Sequence, residues 1–261
     1  MSRLIDNLTK LSQAAPPPMG FHTSRQAETS PTMLIIGRTA IKSAAPAAKA
    51  SSGADAVLIY ADKSEPAIED IKKTVKPLGD IPWGVYLEES GKATAALIEG
   101  GCDFVVFSPT SRIPDLPQDE KVGKILQVES SMDDGLLRAV NDLPADAVLV
   151  TDALEGKGTI TMHQLMIYRH LAAFISKPII VPVAANITEA ELKALQDAEI
   201  DGVMADMDIA KGEDLKKLRK TIGKLPPRSA KKRDKRGVLL PRAGGESQTI
   251  EPPDEEEEED E

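Results

Sequence analysis

A short pattern of polar and apolar positions recurs four times along the chain. Each copy has a small or apolar residue, then an aspartate, then a run of apolar residues. The aspartates are Asp55, Asp103, Asp146 and Asp201, spaced 48, 43 and 55 residues apart. A short apolar run bounded by turn-forming residues is typical of a strand buried on both faces. A period of this length indicates a supersecondary unit used repeatedly.

A second apolar run precedes each copy of the pattern. These runs are Met33–Ile36, Trp83–Leu87, Lys124–Val128 and Ile179–Val183. The two sets together make eight strands that alternate with stretches long enough for helices. Such an order implies parallel pairing with right-handed crossovers. The sequence therefore predicts a (β/α)8 TIM barrel over residues 32–225, built from a quarter-barrel unit repeated four times.

The repeated aspartates stand at the start of the even-numbered strands, at the bottom of such a barrel. Side chains there serve stability rather than chemistry. We interpret them as turn formers that bond nearby backbone amides. Chemistry is then expected at the opposite ends of the strands. One departure from a regular barrel is predicted at 111–121, where Pro114 and Pro117 leave the helix after strand 4 short or missing.

The two ends of the chain are predicted to lie outside the barrel. Residues 1–31 begin with a short amphipathic helix that ends before Pro16. This helix is either a lid on the bottom of the barrel or a docking helix for a protein partner. Residues 226–261 read as a basic linker followed by an acidic tail whose last eight residues are all acidic. Such a run repels itself, so the tail is expected to be disordered, and it offers a second route to a protein partner.

Composition narrows the remaining choices. Aromatic residues make up 3% of the 261 residues, which argues against a surface for stacking nucleic-acid bases. The net charge of −10 comes mainly from the tail, so no basic field exists to attract nucleic acid. The single cysteine, Cys102, suggests a reducing compartment and a structural thiol. With no apolar stretch long enough for a membrane span and no secretory signal, we expect a cytoplasmic protein without a membrane partner.

Polar residues at the ends of the predicted strands are the candidates for chemistry. Carboxylates near a lysine can transfer protons beside a carbonyl group, and we assign this role to Glu129, Asp152 and Lys63. Converging carboxylates could instead hold a divalent cation such as Mg²⁺. The simpler interpretation of each is an ion-paired or rim residue. The residues expected to bind substrate are Arg38, Glu88, Ser108, Lys157 and Asn186.

The repeated pattern resembles that of aldolase-type and phosphate-binding (β/α)8 barrels, over residues 32–225 and without a motif specific to one family. That resemblance implies a phosphate site in glycine-rich loops after strands 7 and 8. Here the corresponding stretches, Ala184–Thr188 and Ala205–Asp208, contain no glycine, and the second carries two aspartates. Strand 6 has no lysine for a Schiff base, and no histidine ends a strand. The stretch Gly156–Thr159 resembles a fragment of a phosphate loop but lacks the spacing, so we interpret it as a flexible lid.

Two functions from different classes follow. The first is a lyase or isomerase acting on a small anionic metabolite, phosphorylated or not, at the C-terminal mouth of the barrel. The second is a barrel without catalysis, a scaffold or regulatory binding protein that interacts through its ends. A flavin-binding barrel is a third, weaker hypothesis, because no basic, glycine-rich phosphate site closes it.

Overall fold

Eight parallel strands pair in sequence order and close into a barrel in the computed structural model, which confirms the predicted (β/α)8 fold. The structure describes residues 2–12, 31–41, 53–60, 68–87, 94–151, 158–209 and 212–227. The strands are β1 Leu34–Ala40, β2 Ala56–Tyr60, β3 Trp83–Leu87, β4 Phe104–Phe107, β5 Gly123–Val128, β6 Ala147–Val150, β7 Ile179–Val183 and β8 Gly202–Asp206.

The first strand extends past its apolar run, and the sequence predicts its end at Gly37–Thr39. Its apolar run stops at Ile36, but β1 continues to Ala40 because the following residues pair with both neighbours. Arg38 lies opposite Leu58 of β2 and Asp206 of β8. Arg38 is therefore part of the strand and not of the loop after it.

Helices follow most of the strands. They are α1 Arg3–Ser12, α2 Ile68–Val75, α3 Thr94–Glu99, α4 Asp134–Ala139, α5 Met162–Phe174, α6 Glu189–Asp197 and α7 Gly212–Ile222. The β4–β5 connection contains a single 3-10 turn, Ile113–Asp115, in place of a helix, as its prolines predict. The sequence also predicts a helix over 41–52, and all of that range except residue 41 lies outside the described residues.

Helices α5 and α6 each begin with a capping box, in which a threonine is followed three residues later by Gln or Glu. Thr161 accepts a hydrogen bond from the Gln164 amide at 3.3 Å, and the Gln164 side chain accepts one from the Thr161 amide at 2.8 Å. Thr188 and Glu191 repeat this arrangement at 3.3 and 2.8 Å. Each box satisfies backbone donors that the first turn of a helix leaves unpaired.

The apolar residues divide into two clusters, because successive strand residues point to opposite faces of the sheet. One lies between the sheet and the surrounding helices, and the other fills the lower interior of the barrel. Helix α1 supplies four side chains to the interior cluster, Leu4, Ile5, Leu8 and Leu11, each at most 8% exposed. The lid interpretation is thus confirmed, and the apolar face that the docking alternative required is already buried.

Three of the repeated aspartates join neighbouring strands at the bottom of the barrel. Asp55, Asp146 and Asp201 each accept a hydrogen bond from an amide near the start of the preceding strand, at 2.8, 2.8 and 2.9 Å. Their own amides donate back to the same residues of β1, β5 and β7. The prediction that these aspartates bond backbone amides is confirmed, with strand amides as the partners.

Asp103, the remaining aspartate, binds α1 instead of a strand. Its carboxylate accepts hydrogen bonds from the Ser2 hydroxyl at 2.8 Å and from the amides of Arg3 and Leu4 at 2.8 and 3.0 Å. It therefore caps the first turn of the lid helix. Gly123 makes room for that turn, since a Cβ there would lie 2.5 Å from the Ile5 side chain.

The boundaries predicted for the terminal segments remain predictions. The basic linker and acidic tail, from 228 onward, lie outside the described residues, as do residues 13–30.

Candidate functional site

The floor of the barrel mouth is a polar layer resting on an apolar one. In a barrel of this kind, alternate strands contribute side chains to one level. The strand register places Arg38, Tyr86, Gln127 and Pro182 at one such level, from the four odd-numbered strands. The level beneath is wholly apolar, comprising Leu58, Val106, Leu149 and Met204. Inward-facing side chains therefore change from apolar to polar at the level that forms the floor of the mouth.

Arg38 provides the positive charge of this floor. Its side chain is half-buried, and its guanidinium carbon lies 4.1 Å from the centre of the Tyr60 ring. Within the described part of the chain, no carboxylate forms an ion pair with it. A half-buried guanidinium that lies over an aromatic ring, with no ion pair among the described residues, retains its capacity to bind an anion.

Tyr86 and Gln127 form the other polar half of the floor. The Tyr86 hydroxyl donates to Oε1 of Gln127 at 2.8 Å, and both side chains are half-buried. This bond spans the width of β4 and confirms that the two side chains share a level. The Nε2 group of Gln127 has no acceptor among the described residues, so its N–H groups are available to a ligand.

Asp208, just after β8, ties three strand ends together beside Arg38. Its carboxylate accepts hydrogen bonds from the Ala40 amide at 2.9 Å, the Thr39 hydroxyl at 3.1 Å and the Tyr60 hydroxyl at 3.3 Å. Because Tyr60 also stacks on Arg38, Asp208 holds the ring that positions the guanidinium. Tyr60 of β2 thus links Asp208, which follows β8, to Arg38 of β1.

Asp206 is the carboxylate nearest to Arg38 in the sheet register. It is half-buried, and its alternation with Met204 directs it into the mouth. One oxygen accepts a hydrogen bond from the Asp208 amide at 2.9 Å, which fixes the orientation of the carboxylate. The other oxygen has no partner among the described residues.

The predicted site residues separate into three groups. Arg38 lies on the floor, and Ser108 lies half-buried on the level above it, 2.8 Å from the Thr110 hydroxyl. Glu129 and Asn186 are exposed at the rim, and the carboxylate of Glu129 accepts a hydrogen bond from Ser131 at 3.4 Å. The remaining four fall outside the described residues: Lys63, Glu88, Asp152 and Lys157. The catalytic roles given to Glu129, Asp152 and Lys63 therefore stay predictions.

Described residues include no group of three or more histidine, cysteine, aspartate or glutamate side chains that could hold a metal ion. The sequence predicts a divalent cation such as Mg²⁺ at converging carboxylates of the mouth, and two of the candidate carboxylates, Glu88 and Asp152, lie outside the described residues, so that site stays a prediction. Cys102 is separate from any site. It is buried, its thiol donates to the Phe104 carbonyl at 3.1 Å, and burial raises its pKa to about 12.

Four residues of the mouth were not selected as site residues from the sequence. Tyr60 ends an apolar run, and Tyr86 and Gln127 each interrupt one, so each has a polar group at an inward position of a strand. That alternation is the signal that the sequence offers for these three. Asp206 is the fourth, and in the sequence it stands out only as one of two aspartates after the last strand.

No family model matches the chain, and no curated protein does either. Among solved structures, similar ones include a mutant tryptophan synthase alpha-subunit from Pyrococcus furiosus, with 12% identity, a TM-score of 0.54, and coverage of 74% of this chain and 97% of that one. A thiamine phosphate pyrophosphorylase from Pyrococcus furiosus has 14% identity and a TM-score of 0.54, over 73% and 95% of the two chains. FabK from Thermotoga maritima has 18% identity and a TM-score of 0.51, over 79% and 61%.

These likenesses establish the barrel fold, and at such identities they establish nothing more. None of the helices described has the length and apolar character needed to cross a bilayer.

Proposed function

We propose that this barrel is an enzyme, a lyase or isomerase that acts on a small anionic metabolite bound in its mouth. The observation that carries the proposal is Arg38, a half-buried cation on the mouth floor with no carboxylate partner among the described residues. A guanidinium inside a barrel without an ion pair favours a bound anion. The Nε2 group of Gln127 adds neutral donors on the same level.

Proton transfer is the chemistry that this arrangement supports. Asp206 neighbours Arg38 in the register and keeps one carboxylate oxygen directed at the mouth, so it serves as a general base. The proton removed is one next to the carbonyl or carboxyl group that Arg38 holds. Glu129, on the rim above Gln127, is the second proton carrier, in the role given to it from the sequence. Both an elimination and an isomerisation can begin with this step.

Barrels of the same fold support the class of function. The similar structures are named as a tryptophan synthase subunit, a thiamine phosphate pyrophosphorylase and FabK, and the first two names are those of enzymes. TIM-barrel enzymes place their catalytic groups at the C-terminal ends of the strands, where Arg38, Asp206 and Glu129 lie.

Deuterium exchange tests the proposal without knowledge of the final product. The protein is incubated in D2O with a panel of small carboxylates and phosphorylated acids, and loss of the carbon-bound proton is followed by NMR. Binding is measured in parallel from the thermal shift. We expect at least one member of the panel to bind and exchange.

Variants assign the roles. Arg38→Gln should weaken binding about tenfold to a hundredfold, the loss expected for a charge-assisted pair of hydrogen bonds. Asp206→Asn should keep binding and lose exchange, and Glu129→Gln should slow the step that follows. Arg138→Gln is the matched control, because Arg138 also lies over an aromatic ring, Phe174, but on the outside of the barrel.

The experiment also separates the second candidate function. Binding that depends on Arg38 but never leads to exchange or turnover would identify a binding barrel without catalysis. If no member of the panel binds to the wild-type protein, the proposed enzyme function is refuted.

A further inference from the structure

Asp206, Asp208 and the capping boxes place acceptors where a phosphate-binding barrel needs donors. We infer that the anionic group held in this mouth is a planar carboxylate and not a phosphate. The inference rests on the proposed function above, since it specifies the group that Arg38 binds.

The charge of the mouth floor, more than its shape, selects the ligand. The Arg38 guanidinium carbon lies over the Tyr60 ring, 4.1 Å from its centre, and a ligand that accepts hydrogen bonds from the guanidinium approaches one of its edges, where the N–H groups point. Such an edge matches two oxygens of a carboxylate and also two oxygens of a phosphate, so the balance of charges distinguishes them. The other donor on the floor, Nε2 of Gln127, is neutral. One cation and one amide balance a monoanion but leave a phosphate dianion half neutralised.

Negative charge lies where phosphate-binding barrels hold their phosphate. That site is formed after strands 7 and 8. Here the end of β8 carries Asp206 and Asp208. Asp208 cannot turn away without losing its three hydrogen bonds to Thr39, Ala40 and Tyr60. Because Coulomb energy scales with the product of the charges, these carboxylates repel a dianion twice as strongly as a monoanion.

Three helix N-termini on this side of the barrel carry acceptors of their own. A phosphate in such a barrel commonly accepts hydrogen bonds from the first amides of a helix. At the start of α6 the Glu191 carboxylate accepts hydrogen bonds from the Thr188 amide at 2.8 Å, the Thr188 hydroxyl at 2.6 Å and the Ile160 amide at 2.7 Å. The Gln164 side chain does the same for α5, and α7 has Glu213 and Asp214 in its first turn.

The test compares matched carboxylates and phosphates. Dissociation constants are measured by calorimetry for glycolate, lactate, glycerate and succinate, and for inorganic phosphate, methyl phosphate and glycerol 3-phosphate. Each is titrated into the wild-type protein, Arg38→Gln and the control Arg138→Gln. We expect the best carboxylate to bind at least about tenfold more tightly than the best phosphate, a difference that Arg38→Gln abolishes and Arg138→Gln leaves intact.

Two further variants address the carboxylates. Asp208→Asn and Asp206→Asn should each tighten the binding of glycerol 3-phosphate about threefold, the size expected for removal of one partly screened like charge. Two variants are used because Asp208 also joins strand ends, and thermal melting identifies a variant that fails to fold. Tighter phosphate binding in either folded variant supports the inference, and unchanged binding in both contradicts it.

The outcomes distinguish the inference from the proposed function. If a phosphate binds the wild-type protein as tightly as any carboxylate and the binding depends on Arg38, the carboxylate inference is wrong and the proposed function stands. If no ligand of either class binds in a way that depends on Arg38, the proposed function fails and the inference fails with it.

Discussion

Removal of the Asp103 carboxylate should detach the lid helix while leaving the barrel closed. In Asp103→Ala, the amides of Arg3 and Leu4 and the Ser2 hydroxyl lose the acceptor that they reach at 2.8 to 3.0 Å. The carboxylate is not part of any strand pairing, so the barrel keeps its own hydrogen bonds. The effect should therefore be confined to α1, Arg3–Ser12.

The size of the effect follows from the cap. Loss of an N-cap side chain costs about 0.5 to 2 kcal/mol, and loss of the favourable charge at a helix N-terminus costs about 0.3 to 1 kcal/mol more. Water can reach the exposed Arg3 amide and recovers part of this loss. We expect a net cost of about 2 kcal/mol, which raises the population of the undocked helix about thirtyfold.

Hydrogen exchange of the backbone amides measures that population directly. Amides of α1 should exchange about thirtyfold faster in Asp103→Ala than in the wild-type protein. The matched control is Asp146→Ala, which removes the same residue of the same repeated pattern but breaks a bond to the Lys124 amide in β5. That variant should speed exchange at the start of β5 and leave α1 unchanged.

The reasoning is refuted if both variants affect α1 equally. Equal effects would mean that the docked helix depends on the whole barrel floor and not on its own cap. A global loss of stability in Asp103→Ala that matches the change in α1 would refute it as well, because lid and barrel would then unfold as one unit.

Three further predictions concern the barrel itself. Iodoacetamide at about pH 8 should leave Cys102 unmodified in the folded protein and label it after denaturation, since burial raises its pKa to about 12. Gly84→Ala should lower the free energy of unfolding by about 1 to 3 kcal/mol, because the added Cβ would overlap the carbonyl and ring of Phe104; urea denaturation measures this. Burial raises the pKa of Glu191, but the hydrogen bonds from Thr188 and a backbone amide together lower it by more, so the net pKa lies below 4.5. The stability that charged Glu191 contributes is therefore present above pH 4.5 and is lost as the pH falls through the lower pKa of the folded state. Glu191→Gln should destabilise the protein near pH 7, and the difference between its urea midpoint and that of the wild-type protein should shrink toward about pH 3.

The sequence was most informative where local pattern and global fold coincide. Trp83–Leu87 was predicted as a strand and is β3 with the same bounds, because an apolar run between turn residues has few other solutions. The apolar run of the first strand stops at Ile36, whereas the paired strand continues through Arg38 to Ala40. The Tyr60 ring covers Arg38 only when β1 and β2 are paired, a contact that no local pattern indicates.

The candidate site was less predictable, because it depends on register. Gln127 and Tyr86 lie 41 positions apart and share a level only through the pairing of β3, β4 and β5. Polar residues at strand ends, such as Glu129 and Asn186, are easier to select from a sequence, yet both lie on the exposed rim. The departure of Asp103 from its three counterparts was equally hidden, since the local pattern around all four is alike and only α1 distinguishes them.

The hydrogen bonds of α1 to Asp103 also have a consequence during synthesis of the chain. The helix leaves the ribosome well before its anchoring carboxylate, which lies 101 positions later than Ser2. At elongation rates of about 5 to 20 residues per second, the apolar face of the nascent helix has no barrel floor to bind for roughly 5 to 20 seconds. During that interval we expect a molecular chaperone to bind the exposed apolar face. A ribosome stalled before Asp103 would keep that face exposed for as long as the stall lasts.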